Sequence, residues 1–366
     1  MRAIRRNFLG RITTWMHAHH TATLIIAGIG IIVATSAVAA VMVYQRPERT
    51  IDLPLIPHKP KVTPPPVVYY SPLTGEKVPD QASTTQAVTG IMIENSPDAR
   101  PQSGLKSAGV VFEAIAEGGI TRFLALYQQA KPALVGPVRS VRLYFVDWAA
   151  PFQASIAHIG GSKFALNEIR NGTYRDIDQF FNGGSYWRAT DRYAPHNVYT
   201  SFTRLDALNT KKGYVTSVFT AWPRTDGKPA KTITAGTINV HISGYLYDSQ
   251  YTYDPVANNY IRSEGGKSHL DREAGNITPA VVIVLDTQES RIFEDGWREQ
   301  ITTIGSGKAH IFQNGEVTNA TWTKSDRGSQ IKFTDASGKE VPLNRGQTWI
   351  TAVPANQGGN VTWKAK

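Results

Sequence analysis

Arginines dominate the polar residues that could do chemistry in this sequence of 366 residues, and many of them stand beside glycine- and proline-rich turns. A guanidinium group is the preferred bidentate donor to a carboxylate or a phosphate, so this pattern predicts an anion- or glycan-binding cleft. Two glutamates flank the set and leave open an alternative, a structural salt-bridge network in which they neutralise the arginines. The residues concerned are Arg100, Glu113, Glu117, Arg122, Arg139, Arg142 and Arg188.

Two histidines stand where they could bind or catalyse. His158 ends an apolar run before two glycines and a serine, a predicted strand–turn–helix junction whose free N–H groups suit an anion. His196 lies in a loop that also offers an amide and a hydroxyl beside a general base, ten residues after an aromatic pair. A structural hydrogen-bonding role is the alternative for each histidine. The binding residues predicted here are His158, Ser162, Trp187, His196, Asn197 and Tyr199.

Support for catalysis is thinner. Ser140 and Ser162 lack the G-x-S-x-G context of a hydrolase nucleophile, and both are good helix caps. A glycosidase needs two carboxylates across a cleft, for which Glu117 with Glu113, Asp147 or Asp191 could serve. We therefore predict a non-catalytic binding module. The alternatives are a cell-wall hydrolase or transferase that uses His158 or His196 with Glu117, and a scaffold of an envelope assembly.

The chain contains no cysteine, which excludes disulfides, thiolate zinc sites, thiol nucleophiles and the acylated cysteine of a lipoprotein. No histidine pair has the spacing of a zinc protease, and no calcium-binding loop is present. The segment Gly305–Lys308 resembles a phosphate-binding loop, but alanine follows the lysine and the preceding glycine is missing. We predict neither a metal nor a cofactor.

A membrane segment is predicted at the N-terminus. Residues 21–44 carry no charged side chain, and about 20 apolar residues cross a bilayer as a helix. Four arginines and no acid precede them, which places residues 1–20 in the cytoplasm and the rest of the chain outside it. The partner predicted for this segment is thus the cytoplasmic membrane. The alternative is a signal peptide cleaved after Ala39, in the small-x-small pattern of residues 37–39.

The formal net charge of +10 does not indicate nucleic-acid binding. Residues 1–50 hold six arginines and one glutamate, and residues 51–70 add two lysines and one aspartate, so more than half of the excess lies in the anchor and stalk. The remaining positive charge is spread over nearly the whole ectodomain without a basic block. A mildly basic surface favours an anionic polymer, and the predicted partners are a wall glycan, such a polymer or an envelope protein.

The elements that position these residues change character along the chain. Prolines in residues 45–70 predict an extended stalk. Short apolar runs alternate with helical patterns in residues 71–230, where Ser140, Ser162 and Thr203 are predicted helix caps. Alternating strands with glycine and asparagine turns, such as Asn314-Gly315, fill residues 231–366. We predict an α+β fold, a mixed α/β N-terminal lobe followed by a β-rich C-terminal lobe.

Several segments in the same order resemble the DUF3048 or YerB-like family, which consists mostly of lipoproteins of unknown reaction. The resemblance spans roughly residues 71–363 and implies an extracytoplasmic place without implying a chemistry. This chain departs from the lipoprotein members in lacking their cysteine, so a helix is expected to replace the lipid. The segments are SPLTG (71–75), ENSPDARPQSGL (94–105), EAIAEGGITRF (113–123), GPVRSVR (136–142), HIGGS (158–162), YWRATDRYAPHNVYTS (186–201) and GQTWITAVP (346–354).

Overall fold

The computed structural model describes residues 2–45, 67–292 and 298–366. The chain divides into two compact units, Met1–Pro65 and Pro66–Lys366. The predicted stalk at 45–70 falls mainly on residues 46–66, outside the described residues, and stays a prediction.

The first unit contains helix α1 (Arg2–Ala18) and helix α2 (His20–Tyr44). The 25 residues of α2 span about 37 Å at 1.5 Å per residue, more than the ~30 Å of a bilayer's hydrocarbon core. By length and composition α2 is the one described helix able to cross a membrane, and none of the described part of it is buried in protein. The predicted apolar N-terminal helix is confirmed.

The second unit consists mainly of short strands. Before residue 230 they are β1 (Tyr69–Tyr70), β2 (Lys77–Val78), β3 (Thr89–Glu94), β4 (Val110–Glu117), β5 (Ile120–Tyr127), β6 (Ser155–Ala157), β7 (Arg175–Asp176), β8 (Tyr186–Arg188), β9 (Val198–Thr200) and β10 (Arg224–Thr225). After it they are β11 (Thr237–His241), β12 (Ser249–Asp254), β13 (Asn259–Glu264), β14 (Lys267–Ser268), β15 (Leu270–Asp271), β16 (Gly275–Asn276), β17 (Val281–Thr287), β18 (Glu289–Ile292), β19 (Arg298–Ile301), β20 (Gly305–Gln313), β21 (Glu316–Lys324), β22 (Lys332–Thr334), β23 (Leu343–Asn344), β24 (Thr348–Pro354) and β25 (Asn360–Lys364).

One large mixed sheet forms the centre of this unit. Its strand order is β22-β21-β20-β17-β24-β4-β5-β3-β6-β7, and the β18–β19 hairpin joins it through β4. Strands from both sides of residue 230 thus share one sheet, with β24 parallel to both β17 and β4. The boundary between the two predicted lobes stays a prediction. The α+β class and the excess of strand in the C-terminal part are confirmed.

The two faces of the large sheet bury different cores. On one face, Met92, Phe112 and Leu124 pack against helix α3 (Leu143–Ala149) and helix α4 (Lys163–Asn171). On the other face, the neighbouring strand positions pack against helix α5 (Phe202–Lys211) and a five-stranded sheet of order β14-β13-β12-β11-β25. This alternation explains why β3, β4 and β5 are almost wholly buried, since apolar side chains are needed on both faces.

The helix caps were only partly predicted. Ser162 caps α4, as expected, by accepting a hydrogen bond from the Ala165 N–H. The prediction for Ser140 is wrong: α3 begins at Leu143, because Val141 is held extended by a bridge to Gly161. The prediction for Thr203 is displaced by two residues, since Ser201 caps α5. At the predicted Asn314-Gly315 corner, both residues have positive φ between β20 and β21, as a tight hairpin requires.

Candidate functional site at the carboxyl edge of the sheet

Strands β3, β4, β6, β7 and β24 run in the same direction, so their carboxyl ends meet at one edge of the sheet. We call this the carboxyl edge. Glu94 ends β3, Glu117 ends β4, Asp176 ends β7, and His158 follows β6. Arg122 reaches the same edge from the start of the antiparallel β5, directly opposite Glu94. In open α/β sheets, ligands bind at such an edge, where loops can carry polar groups.

Glu94 is the centre of a first polar cluster. Its Oε1 atom lies 2.9 Å from Nδ1 of His196, accepts a hydrogen bond of 3.0 Å from the Ser96 hydroxyl, and lies 3.2 Å from Nε of Arg139. The Ser96 oxygen also lies 3.2 Å from the same Nδ1 atom. The other carboxylate oxygen of Glu94 is buried without a hydrogen-bond partner among the described residues. One buried carboxylate thus orients a histidine, a serine and an arginine.

An open cleft of about 760 Å³ lies beside this cluster. The His196 ring is about a quarter exposed and forms part of its wall, while Tyr193 is almost fully exposed at its rim. Arg272 reaches the cleft from β15–β16 and pairs with Asp191 at 2.6 Å. The cleft therefore combines cations, carboxylates and an aromatic ring. Its lining is Asp98, Pro101, Asp191, Arg192, Tyr193, Ala194, His196 and Arg272.

Glu117 is the centre of a second polar cluster. Arg122 donates to its Oε1 atom at 3.1 Å and to the Ser140 carbonyl at 2.9 Å, and Arg142 donates to Oε2. Burial alone would raise the pKa of Glu117, but the charges of Arg122 and Arg142 outweigh it and lower the pKa to about 2. Burial lowers the pKa of Arg122 to about 10, assisted by the charge of Arg142. The Glu117 carboxylate is therefore ionised at neutral pH and forms ion pairs with both arginines.

His158 occupies a third, separate position. Its Nδ1 atom lies 2.8 Å from the Gly160 carbonyl oxygen, and its Nε2 atom lies 3.0 Å from an oxygen of Asp176. The ring is fully buried, so neither nitrogen is available to a ligand. Asp178 accepts the Gly160 N–H beside it at 3.1 Å. The backbone donor that the sequence suggested for an anion is therefore already occupied by a carboxylate.

Glu113 lies in the core rather than at the carboxyl edge. Its carboxylate is buried on the face that packs against the five-stranded sheet, where Arg262 pairs with it at 2.8 Å. The Trp349 indole N–H donates to it at 2.9 Å. Burial lowers the pKa of the neighbouring His269, and the charge of Arg262 adds to this effect. Glu113 therefore neutralises Arg262, which lies outside the set of arginines singled out in the sequence.

The remaining predicted residues hold loops. Arg100 donates to the Asn95 side chain at 3.1 Å and to the Leu246 carbonyl at 2.9 Å, which ties two distant loops together. Arg188 donates to Asn197, whose amide in turn donates to the backbone of the same loop. The Arg204 guanidinium lies over the Trp187 ring, 4.8 Å from the ring centre. Tyr199 is buried.

Residue types and spacing did not point to Glu94, Ser96, Arg192 or Arg272. Glu94 and Ser96 stand in a segment that carried the family resemblance, and the position of Glu94 at the end of an apolar strand is the signal that could have identified it. Arg272 comes to the cleft only through tertiary packing. Within the residues that the structure describes, no three His, Asp or Glu side chains are grouped to hold a metal ion.

Comparison with known proteins agrees with this architecture. Residues 73–215 match the model of the N-terminal domain of DUF3048, a protein of unknown function, and residues 238–350 match its C-terminal domain. The chain belongs to the DUF3048 family. The family resemblance seen in the sequence is thereby confirmed.

A curated relative is the "Putative lipoprotein YerB" of Bacillus subtilis (strain 168), 35% identical over 289 residues that cover 78% of this chain and 86% of that protein. A crystal structure of YerB from Bacillus subtilis superposes with a TM-score of 0.72 at 32% identity, covering 80% of this chain and 99% of that one. A lipoprotein relative and the apolar helix α2 both indicate membrane association.

Proposed function

We propose that this DUF3048 protein is a single-pass envelope protein that binds an anionic cell-wall polymer at the carboxyl edge of its sheet. Helix α2 would be the anchor, with residues 1–20 in the cytoplasm and the second unit outside. The arginine-rich start of the chain supports this orientation, because cytoplasmic segments carry an excess of basic residues. The absence of cysteine supports a helix rather than a lipid as the anchor.

The observation that carries the binding proposal is a cluster of guanidinium groups at the carboxyl edge. Among the described residues, those of Arg122, Arg139 and Arg142 lie within 3.2 Å of two carboxylates, those of Glu94 and Glu117. The positive charges of Arg122 and Arg142 repel each other, so a bound anion would stabilise the cluster. The buried Nε atoms of Arg122 and Arg142 have no hydrogen-bond partner among the described residues, which is consistent with an excess of donors.

The depth of these side chains suggests how a polymer would be held. Arg139 and Arg298 are each about a quarter exposed and would contact the polymer directly, with Arg298 4.0 Å from Glu117. Arg122 and Arg142 are buried and would act from beneath through their charge. Phosphate or carboxylate groups at intervals along the polymer would suit this arrangement, because guanidinium groups bind both in a forked geometry.

The proposal is tested with the second unit alone, residues 67–366, since it is compact and contains both matched family domains. Binding to isolated cell wall is compared between wild type and Arg139→Gln. The matched control is Lys131→Gln, which removes one surface charge that pairs with Asp206 elsewhere on the same unit. We expect a five- to tenfold weaker affinity for Arg139→Gln and less than a twofold change for the control, in line with about 1 kcal/mol for a charge-assisted contact.

A second arm identifies the ligand. Acid extraction removes anionic polymers from the wall and leaves the glycan–peptide mesh. We expect the extracted wall to lose binding, and we expect binding to intact wall to weaken as salt rises. Equal binding to both wall preparations would contradict an anionic polymer as the ligand. Equal loss of affinity in Arg139→Gln and Lys131→Gln would show that the arginine cluster is not the binding site. An acidic envelope protein as the true partner would give no wall binding.

A further inference from the structure

The cleft of about 760 Å³ beside His196 offers an arrangement that binding alone does not require. The carboxylate of Glu94 accepts from Nδ1 of His196 at 2.9 Å, which fixes the proton of a neutral ring on Nδ1. The lone pair is then on Nε2, the ring nitrogen away from the buried carboxylate. No group among the described residues hydrogen bonds to Nε2. A histidine oriented in this way by a carboxylate is equipped to act as a general base.

Ser96 is not the nucleophile of this arrangement. Its hydroxyl donates to Glu94 at 3.0 Å and approaches the same Nδ1 atom as the carboxylate, at 3.2 Å. In a serine hydrolase the nucleophile and the orienting carboxylate contact opposite nitrogens of the ring. Ser96 therefore helps to hold the Glu94–His196 pair, and a water molecule in the cleft is the group that the base can activate.

The charged groups of the cleft limit the type of substrate bond that could be hydrolysed there. Both Nη atoms of Arg192 donate to backbone carbonyls, those of Asp98 at 2.9 Å and of Pro101 at 2.5 Å, and no carboxylate among the described residues pairs with it. Its charge is thus available to an anion. The hydrogen bond from Arg272 lowers the pKa of Asp191, which stays ionised and does not supply the protonated carboxyl of a glycosidase.

We propose that His196 is the general base of a phosphodiester-hydrolysing centre, with Glu94 as its positioning residue and Arg192 as the cation that binds the phosphoryl oxygens. Nε2 takes a proton from water, the water oxygen forms a bond to phosphorus, and the bond from phosphorus to one alcohol oxygen breaks. The leaving alkoxide takes the proton from the imidazolium. The products are a phosphomonoester and an alcohol, and the ring returns to its neutral form.

This inference rests on the proposed function for the chemistry of its substrate, because a polymer joined by phosphodiesters is both anionic and hydrolysable. The probe is bis(p-nitrophenyl) phosphate, with p-nitrophenyl acetate as a carboxylic ester for comparison. Residues 67–366 are expected to release p-nitrophenolate from the diester. His196→Gln is expected to lower kcat/KM about 100-fold, the usual contribution of a general base. Arg192→Gln is expected to raise KM.

His241 provides a matched control, since it pairs with Asp248 at 2.8 Å beside a different cavity, of about 360 Å³. His241→Gln should leave turnover unchanged. Glu94→Gln should lower kcat about tenfold with little change in KM. A variant that had lost its fold would instead show a smaller folded fraction by circular dichroism. Absence of diester turnover in the wild type, or turnover that survives His196→Gln in a folded protein, would overturn the inference. Hydrolysis of the carboxylic ester alone would also overturn it.

Wall binding separates the two proposals. Binding of intact wall without diester turnover leaves the proposed function standing and removes the catalytic centre. Diester turnover that depends on His196, without wall binding, leaves the catalytic centre standing and removes the proposed function.

Discussion

The Nη2 atom of Arg262, on β13, donates to both carboxylate oxygens of Glu113, on β4, at 3.0 and 2.8 Å. The two residues belong to different sheets, and both are buried. The Arg262 guanidinium also lies 4.6 Å above the ring of Trp349, whose N–H binds the same carboxylate. This desolvated group connects the five-stranded sheet to the centre of the large one.

Breaking this pair is expected to destabilise the second unit. Glu113→Gln removes the closer of the two carboxylates paired with Arg262, leaving Glu264 at 3.4 Å, and should lower the free energy of unfolding by about 3 kcal/mol. Glu113→Gln combined with Arg262→Met should recover part of the loss, because the cation that lost Glu113 is then removed and buried Glu264 keeps its pair with Arg100. Urea unfolding of the two single variants and the double variant measures this. A double variant whose loss equals the sum of the single losses would contradict the expectation.

The fate of Glu113 shows what the sequence could and could not reveal. The strands, the Asn314-Gly315 corner and the apolar helix were predicted from the sequence, because such patterns depend on residues close together in the chain. The partner of Glu113 stands 149 positions away, so residue spacing gave no means of separating a core glutamate from a site glutamate. His196 was identified, but Glu94 was not, because their pairing joins the end of β3 to a loop 102 positions later. Ser140 failed as a cap because a bridge between loops, also non-local, keeps the preceding backbone extended.

Acid should weaken the fold through Glu117. Its pKa in the folded protein is about 2, below the value near 4.5 of an unperturbed glutamate. A lowered pKa contributes stability above pH 4.5 and loses it as pH falls toward 2. The side chain is about a third exposed, so we expect only about 1 to 2 kcal/mol.

The difference in unfolding free energy between wild type and Glu117→Gln, followed by urea titration from pH 6 to pH 2.5, measures this effect. We expect the difference to shrink as the pH falls. A difference that stays constant with pH would rule out the assigned charge pairing.

His158 is expected to act on stability alone. Its buried ring contacts the Gly160 carbonyl and Asp176, and His158→Ala would remove both contacts. We expect the free energy of unfolding to fall by about 2 to 3 kcal/mol, the cost of the lost buried contacts plus a cavity. Wall binding and diester turnover, measured well below the melting temperature, should match the wild type. Loss of either with an unchanged melting temperature would make His158 a site residue.

The absence of cysteine makes the proposed topology directly measurable, since any introduced thiol is unique in the chain. Ser337→Cys lies in an exposed turn of the second unit, and Thr14→Cys lies on the exposed surface of α1. In intact cells from which any outer membrane has been permeabilised, a membrane-impermeant maleimide should label the first variant only. After lysis it should label both. Labelling of Thr14→Cys in intact cells would reverse the orientation, and its loss from the mature protein would indicate cleavage.

The position of β24 has a consequence for how the protein is made. This strand, only a dozen residues from the C-terminus, lies between β17 and β4. Until it emerges, each of those two apolar strands presents an open edge, a surface prone to aggregation and to capture by other chains. A product truncated before residue 348 would keep both edges exposed, which should make it a ready substrate for proteolysis. Strand β24 thus completes the sheet only after the strands on both sides of it have been made.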